Sequence, residues 1–424
     1  MSRHPLPHQA SRISVYEVNT RQYTNEGTFE AFGRHLPRLA DMGVDILWFM
    51  PVTPISVKGR KGSLGSYYAA SDHRSVNPEF GRLGDLQAVV AEAHRLGMRV
   101  IIDWVANHTG CDHHWTLTRP DFYKRNEEGA FYDAHGWDDV IDLDYGNADL
   151  RREMIASMRW WIDQCGIDGF RCDMAMLTPA DFWAEARAAL DPIKPLFWLA
   201  ELDPLENPDH MLVFDAGYAW RWMHATREFL EPWHHQVHQL EDILHRYADP
   251  RQNPGWPAWF TSNHDENSWN GTEYEKYGGM ALPLAVFSCT WPGIFLMYSG
   301  QELPNRKRLA FFDRDPIGWT DAPALHDFFK GLLQLRATHP AFSTDRALRL
   351  HGSHDSQVLC FLRETEGRAI LVVLNFSSYR HWDFSIRDER LSGTFTELFT
   401  ERRQDFSADR SIDLEPWSYQ VWHR

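Results

Sequence analysis

Short apolar runs alternate along the chain with longer stretches in which apolar residues recur every three or four positions. The short runs predict strands over residues 13–19, 46–50, 99–104, 169–173, 197–201, 213–218, 259–263 and 294–298. The longer stretches predict helices over 28–42, 83–96, 149–165 and 327–338, the first three stopped by Gly43, Gly97 and Gly166. Phe29, Phe32, Leu36 and Leu39 mark the buried face of the first helix. After residue 340 the period changes to two. Runs at 358–362, 369–374, 394–399 and 419–422 then read as antiparallel strands.

Eight strands alternating with helices predict an α/β fold whose parallel sheet closes as a (β/α)8 TIM barrel. Residues 107–147 fit neither period and are rich in Asp, His and Gly, so they predict a small excursion over one face of the barrel. The expected organisation is a catalytic barrel over 1–106 and 148–343, the excursion over 107–147, and a C-terminal antiparallel β-sandwich over 344–424. Polar residues gather where the apolar runs end, at Asp103, Asp173, Glu201 and Asp265. In a barrel of this kind the carboxyl ends of the strands form the chemical face.

Composition narrows the reading. The 424 residues carry 43 Lys and Arg against 59 Asp and Glu, a formal charge of −16, which argues against nucleic acid and anionic membranes as partners. No stretch approaches the roughly 18 uninterrupted apolar residues of a membrane span. Residues 1–8 form no apolar leader core, and the five scattered cysteines form no C-x-x-C pair, so a reducing, cytoplasmic setting is expected. Nineteen Trp and an aromatic share of 14% suit large core side chains, and equally a groove lined for flat amphipathic rings such as sugars.

The strand ends read Asp103-Trp-Val-Ala-Asn-His108, Gly169-Phe-Arg-Cys-Asp173, Trp198-Leu-Ala-Glu201 and Phe260-Thr-Ser-Asn-His-Asp-Glu266. In type, order and strand context these resemble the four signature regions of the α-amylase family, glycoside hydrolase family 13. Residues 68–81, 142–147 and 292–302 add further matches, so the resemblance covers roughly the first 340 residues. It implies Asp173 as nucleophile, Glu201 as general acid/base and Asp265 as the third acid. It also implies Tyr68, Asp72, His108, Arg171 and His264 as substrate-binding residues. Chemistry supports the pairing. Retaining glycosidases need two carboxyls about 5–5.5 Å apart, and neighbouring strands lie about 4.8 Å apart. The implied activity is retaining cleavage of α-1,4-glucosidic bonds in oligosaccharide or polysaccharide substrates. An α-glucan transglycosylase and a non-catalytic carbohydrate-binding relative are the alternatives, the latter disfavoured because all three acids are present. No oligomeric state follows.

Other residues admit blander roles. Asp103 is expected to be structural. Trp160 and Trp161 are expected to pack, and His113-His114 to lie in a solvated loop. The run 305–308 reads as a solvated loop within reach of substrate, and Trp269 reads either as packing or as groove lining. Asn107 matches a calcium ligand of the family, but Leu177 stands where a histidine ligand would be, and the segment after the first strand lacks carboxylates. The expectation is therefore no cofactor and no obligatory metal, with Asp138, Asp139, Asp142 and Asp144 as the residues that could build a cation site without that histidine. Met174-Ala-Met-Leu177 also lacks the Lys-His of starch-cleaving members, which points toward short maltodextrins or transfer to another sugar.

Overall fold

The computed structural model describes residues 10–230 and 236–424; the leader reading on residues 1–8 lies outside them. Eight parallel strands close into a barrel: β1 (Ser14–Val18), β2 (Ile46–Phe49), β3 (Arg99–Trp104), β4 (Gly169–Cys172), β5 (Phe197–Ala200), β6 (Ala216–Tyr218), β7 (Trp256–Trp259) and β8 (Ile294–Tyr298). Neighbours in sequence are neighbours in the barrel, and β1 pairs β8 to close it.

Strand alternation sorts the side chains. Val15, Trp48, Ile101, Leu199 and Tyr218 pack together inside the barrel, whereas Tyr16, Leu47, Ile102, Phe170 and Trp198 join the core outside it, against the helices. Each inward file changes character at its carboxyl end. Two residues beyond Val15 and Ile101 come Glu17 and Asp103, and Arg171 lies level with Asp103 in the β3–β4 register. All three are buried. A polar layer therefore caps an apolar one.

Two predicted elements shift. The helix expected over 28–42 is two, Phe29–Gly33 and Leu36–Met42. Pro37 sits in the first turn of the second, where its missing N–H costs nothing, whereas mid-helix its ring would strike the Gly33 carbonyl. The seventh strand ends at Trp259, so 260–265 runs past the ladder and is held by side chains. Thr261 Oγ1 donates to Glu273 at 2.9 Å, and the Glu266 N–H donates to Asn263 Oδ1 at 2.7 Å.

In the excursion, His108–Gly110 and Val140–Asp142 pair antiparallel, with Asp142 opposite His108. Toward the C-terminus, six strands form one antiparallel sheet and His381–Ser385 pairs with Ser411–Leu414 in a second. The two sheets share a cluster that includes Val358, Leu371, Phe384, Ile412 and Trp422. No described helix is long and apolar enough to cross a membrane.

Gly169 is required where β4 meets β5. Its φ is +151°, and a Cβ there would stand 1.9 Å from the Phe197 carbonyl oxygen. Gly169→Ala is expected to cost on the order of 3 kcal/mol by overpacking. Gly84→Ala, in an open position of the Leu83–Arg95 helix, should leave stability unchanged or raise it by about 0.5–1 kcal/mol. Denaturant midpoints of the two variants provide the check.

Candidate active site

Asp173 and Glu201 follow directly on Cys172 and Ala200, which are paired in the β4–β5 register. The Glu201 N–H donates to the Cys172 carbonyl at 2.9 Å, and the Asp173 N–H to the Trp104 carbonyl at 3.0 Å. Both carboxyls converge on Arg171, which is wholly buried. Its Nη1 lies 2.9 Å from Asp173 Oδ1 and 2.9 Å from Asp103 Oδ1, and its Nη2 lies 2.9 Å from Glu201 Oε2. Trp48 lies 4.9 Å from the guanidinium and donates from its indole to Asp103 at 3.2 Å. Asp103 thus orients Arg171, in keeping with the structural role expected of it.

One cation among three buried carboxylates cannot keep all of them ionised cheaply. Burial pushes Glu201 up to about 7, with Arg171 pulling down and Asp173 and Asp265 pushing further up. Burial also raises Asp173, against the pull of Arg171. The guanidinium restrains the Asp173 carboxyl without returning it to the ordinary range. Met174 stands between the two acids with φ +38°, an uncommon conformation for a side chain of its size, and donates its N–H to Glu201 Oε2 at 2.8 Å.

Asp265 lies across the cavity with its neighbour His264. Trp269, one turn later on a π-helical segment (Glu266–Asn270), donates to Asp265 Oδ1 at 3.2 Å. Burial would raise Asp265, but the charge on His264 holds it below the ordinary range. Tyr68 stacks on His264 at 5.4 Å, and its hydroxyl lies 2.7 Å from His264 Nε2 and 3.1 Å from Asp103 Oδ2. His108 is buried, edge-on to Trp137 at 5.4 Å, and burial lowers it to about 4, so it is neutral.

These residues surround a cavity of about 440 Å³ lined by Tyr68, His108, Asp173, Glu201 and Asp265. Its outer wall is aromatic, with Trp137 from the excursion and Trp269, Phe311 and Phe312 opposite. Trp269 is 53% exposed and packs at 5.3 Å from Phe311, which settles it as groove lining. A larger groove of about 540 Å³ lies between the start of β7 and the C-terminal sheet, and it contains none of the acids named above.

Of the predicted set, Arg171 and His264 lie behind the cavity wall, paired with its acids, and Asp72 stands apart from those acids. Its carboxylate is taken up by the Arg74 N–H, at 2.8 Å, and the Ser75 hydroxyl, and it lines no part of the cavity. His113 corrects the expected solvated loop, for it is buried. The chain turns there into a short helix (Trp115–Thr118) rather than running extended. His113 Nδ1 accepts from the Trp115 N–H at 3.1 Å, and its Nε2 meets His73 Nδ1 at 3.0 Å. Trp161 packs in the core as expected, and Arg306, Lys307 and Arg308 are exposed, away from the cavity. Glu17, Trp137, Phe311 and Phe312 went unassigned on the sequence. Only Glu17 left a signal, as a carboxylate ending an apolar run.

The calcium position does not fit a metal. Asn107 Nδ2 lies 3.5 Å from Asp142 Oδ1, and the charge beside them is the Lys124 ammonium, 3.2 Å from Asp142 Oδ2. Asp138 and Asp139 pair instead with Lys61, at 2.6 and 3.1 Å, and Asp144 accepts the Gly146 N–H. Among the described residues no group of three His, Cys, Asp or Glu is placed to hold a metal ion.

The α-amylase catalytic-domain family matches residues 16–132 and 120–191. The α-amylase MalA of Haloarcula japonica is 27% identical over 88% of this chain and 56% of its own length. The α-1,4-glucan:maltose-1-phosphate maltosyltransferase of Bifidobacterium animalis subsp. lactis is 26% identical over 93% of this chain and 59% of its own. The chain therefore spans less than three-fifths of these relatives. Among solved structures, an α-amylase from Lactobacillus plantarum superposes with TM-score 0.87 at 26% identity, covering 99% of this chain and 100% of that one. The maltogenic α-amylase AmyB from Thermotoga neapolitana gives 0.85 at 27%, covering 98% and 97%.

A bound structural ion stabilises by mass action, so its removal lowers the melting temperature. EDTA is expected to leave Tm unchanged here. Lys124→Met, which strands the buried Asp142 carboxylate, should cost on the order of 2 kcal/mol. Differential scanning calorimetry with and without EDTA, on both proteins, reads both expectations.

Proposed function

Since residues 16–191 match the α-amylase catalytic-domain family, we propose that the chain is a retaining α-glycoside hydrolase acting on α-1,4-glucosidic bonds of maltooligosaccharides or related α-glucans. The observation that carries this reading is the pair Asp173–Glu201 at the ends of adjacent strands, gripped by one guanidinium. The ionised Asp173 attacks the anomeric carbon while Glu201 delivers its proton to the departing glycosidic oxygen. This leaves a covalent glycosyl ester on Asp173 and a carboxylate on Glu201. Glu201 then takes a proton from the incoming water, whose oxygen displaces Asp173 and restores both groups. Asp265, His108, His264 and Tyr68 hold hydroxyls and one face of the ring, and Arg171 positions Asp173.

A second reading, transfer to a sugar acceptor instead of water, uses the same residues. Two features favour it. Several relatives are maltosyltransferases, and the segment after Asp173, whose Met174 lines the cavity, lacks the Lys-His pair of starch-cleaving members. The five free thiols suit a reducing compartment, so we place the protein in the cytoplasm. Incubation with maltooligosaccharides, soluble starch, trehalose and sucrose tests the assignment. Shortened α-1,4 products support hydrolysis, products longer than the substrate support transfer, and inertness toward all four substrates rejects both.

Asp173→Asn is expected to abolish nearly all turnover in a folded protein, because the amide is close in shape but not nucleophilic. Wild-type rates in that variant would reject the assignment. Glu201→Gln should be spared on substrates with good leaving groups, which need little protonation, and crippled on natural glucans. Comparing kcat/KM on an activated aryl glycoside and on maltotriose separates the cases. The pH profile should be bell-shaped. Activity falls on the acid side as Asp173, whose pKa is raised, takes up a proton, and on the alkaline side as Glu201 loses its proton near 7. The two limbs report the coupled pair rather than single residues. The optimum should therefore lie slightly below neutrality in kcat/KM measured across pH 4–9.

A further inference from the structure

Glu17 is buried at the end of β1, on the file that faces into the barrel, and is not one of the residues assigned a role above. Its Oε1 lies 2.5 Å from His264 Nδ1 and 3.4 Å from the His264 main-chain nitrogen, while its Oε2 has no partner. The main-chain N–H can only donate, so Oε1 is an acceptor. A proton on Oε2 would be a buried hydroxyl with nothing to donate to, an arrangement proteins avoid. Glu17 is therefore a carboxylate, and Nδ1 carries a hydrogen. On the far side of the ring, Nε2 lies 3.2 Å from Asp265 Oδ2. An ionised carboxylate cannot donate, so a bare lone pair on Nε2 would face it unfavourably. Both ring nitrogens are thus protonated.

Resting on the glycosidase reading, we infer that Glu17 is a positioning residue that holds His264 as an imidazolium, with Nδ1–H on Glu17 and Nε2–H presented to Tyr68, Asp265 and the sugar. The direction of a hydrogen-bond chain follows. His264 Nε2 donates to the Tyr68 oxygen at 2.7 Å, leaving the Tyr68 hydroxyl to donate to Asp103 Oδ2 at 3.1 Å. Asp103 in turn accepts from Arg171, which also holds Asp173. The charged neighbours support the cation. Glu17 and Asp265 contact the ring and Asp103 reaches it through Tyr68, Arg171 is the opposing positive group, and Trp48 and Phe311 are neutral; burial raises Glu17 and Asp103, against the pull of His264 and Arg171. Burial alone would depress the imidazole, but Asp265 and Glu17 raise it well above the ordinary histidine value. Without the Glu17 charge, His264 can relax to the neutral Nδ1–H tautomer. Nε2 then becomes an acceptor, the Tyr68 hydroxyl turns toward it, and Asp103 loses a donor.

The test is ¹⁵N NMR of the histidine side chains, with His264 assigned by its loss in His264→Gln. In the wild-type enzyme both His264 nitrogens should stay protonated from pH 5.5 to 8. In Glu17→Gln one nitrogen should become unprotonated below pH 8, the pH profile of kcat/KM should change shape, and kcat on maltotriose should fall about ten- to hundredfold. Glu17→Asp, which keeps the charge, should retain the doubly protonated signature. A wild-type His264 that titrates near 6.5, or a Glu17→Gln protein with an unchanged signature and profile, overturns the inference. If Glu17→Gln does not fold, the wild-type spectrum decides alone. That spectrum needs no turnover, so failure of the inference is distinguishable from absence of glycosidase activity.

Discussion

A single guanidinium, Arg171, faces Asp103, Asp173 and Glu201 in the dry mouth of the barrel, and the rest of the site follows from that shortage of positive charge. Removing three carboxylates from water against one cation leaves at least one proton bound near neutrality. The cation is shared unequally: Nη1 gives hydrogen bonds to both oxygens of Asp103 and one of Asp173, while Glu201 pairs with Nη2, accepts the Met174 N–H and is raised by burial. One charged acid and one neutral acid on neighbouring strands is the condition for attack and proton delivery in the same step. The barrel supplies the spacing, and burial supplies the asymmetry.

The opposite wall applies the same physics with the signs rearranged. His264 sits between Glu17 and Asp265 as a cation between anions, while at His108, a few residues beyond β3, burial outweighs the pull of Asp142, Asp133 and Asp139 and keeps the ring uncharged. Two histidines that look alike in sequence thus present different faces to a ligand. The excursion follows a related logic. Where the family resemblance implies a divalent ion beside Asn107, a lysine ammonium pairs with Asp142, so that segment is tied down by the chain itself.

Much of this was legible in the sequence, for physical reasons. Alternating periods of two and 3.6 announced the barrel, glycines with positive φ ended helices where predicted, and carboxylates at strand ends announced the site. The failures also have reasons. Pro37 splits a helix whose apolar spacing is continuous, since periodicity records burial and not the missing N–H. The seventh strand ends at Trp259 because the Thr261 hydroxyl bonds to Glu273 and the Asn263 side chain takes up the Glu266 N–H, which no pattern displays. Asp72 serves its own turn, and His113 is buried by a bend that an extended-chain reading does not contain. Glu17 ended an apolar run like the other acids, but its partner lies 247 residues away, and only closure of the barrel brings the two together.

The central claim is that Asp173 forms a covalent glycosyl intermediate while Glu201 shuttles the proton, and two displacements at one carbon preserve its configuration. Proton NMR of the reducing end formed in the first minutes of maltooligosaccharide cleavage, before mutarotation, measures this directly. The account predicts the α-anomer as the initial product. Initial release of the β-anomer would contradict it.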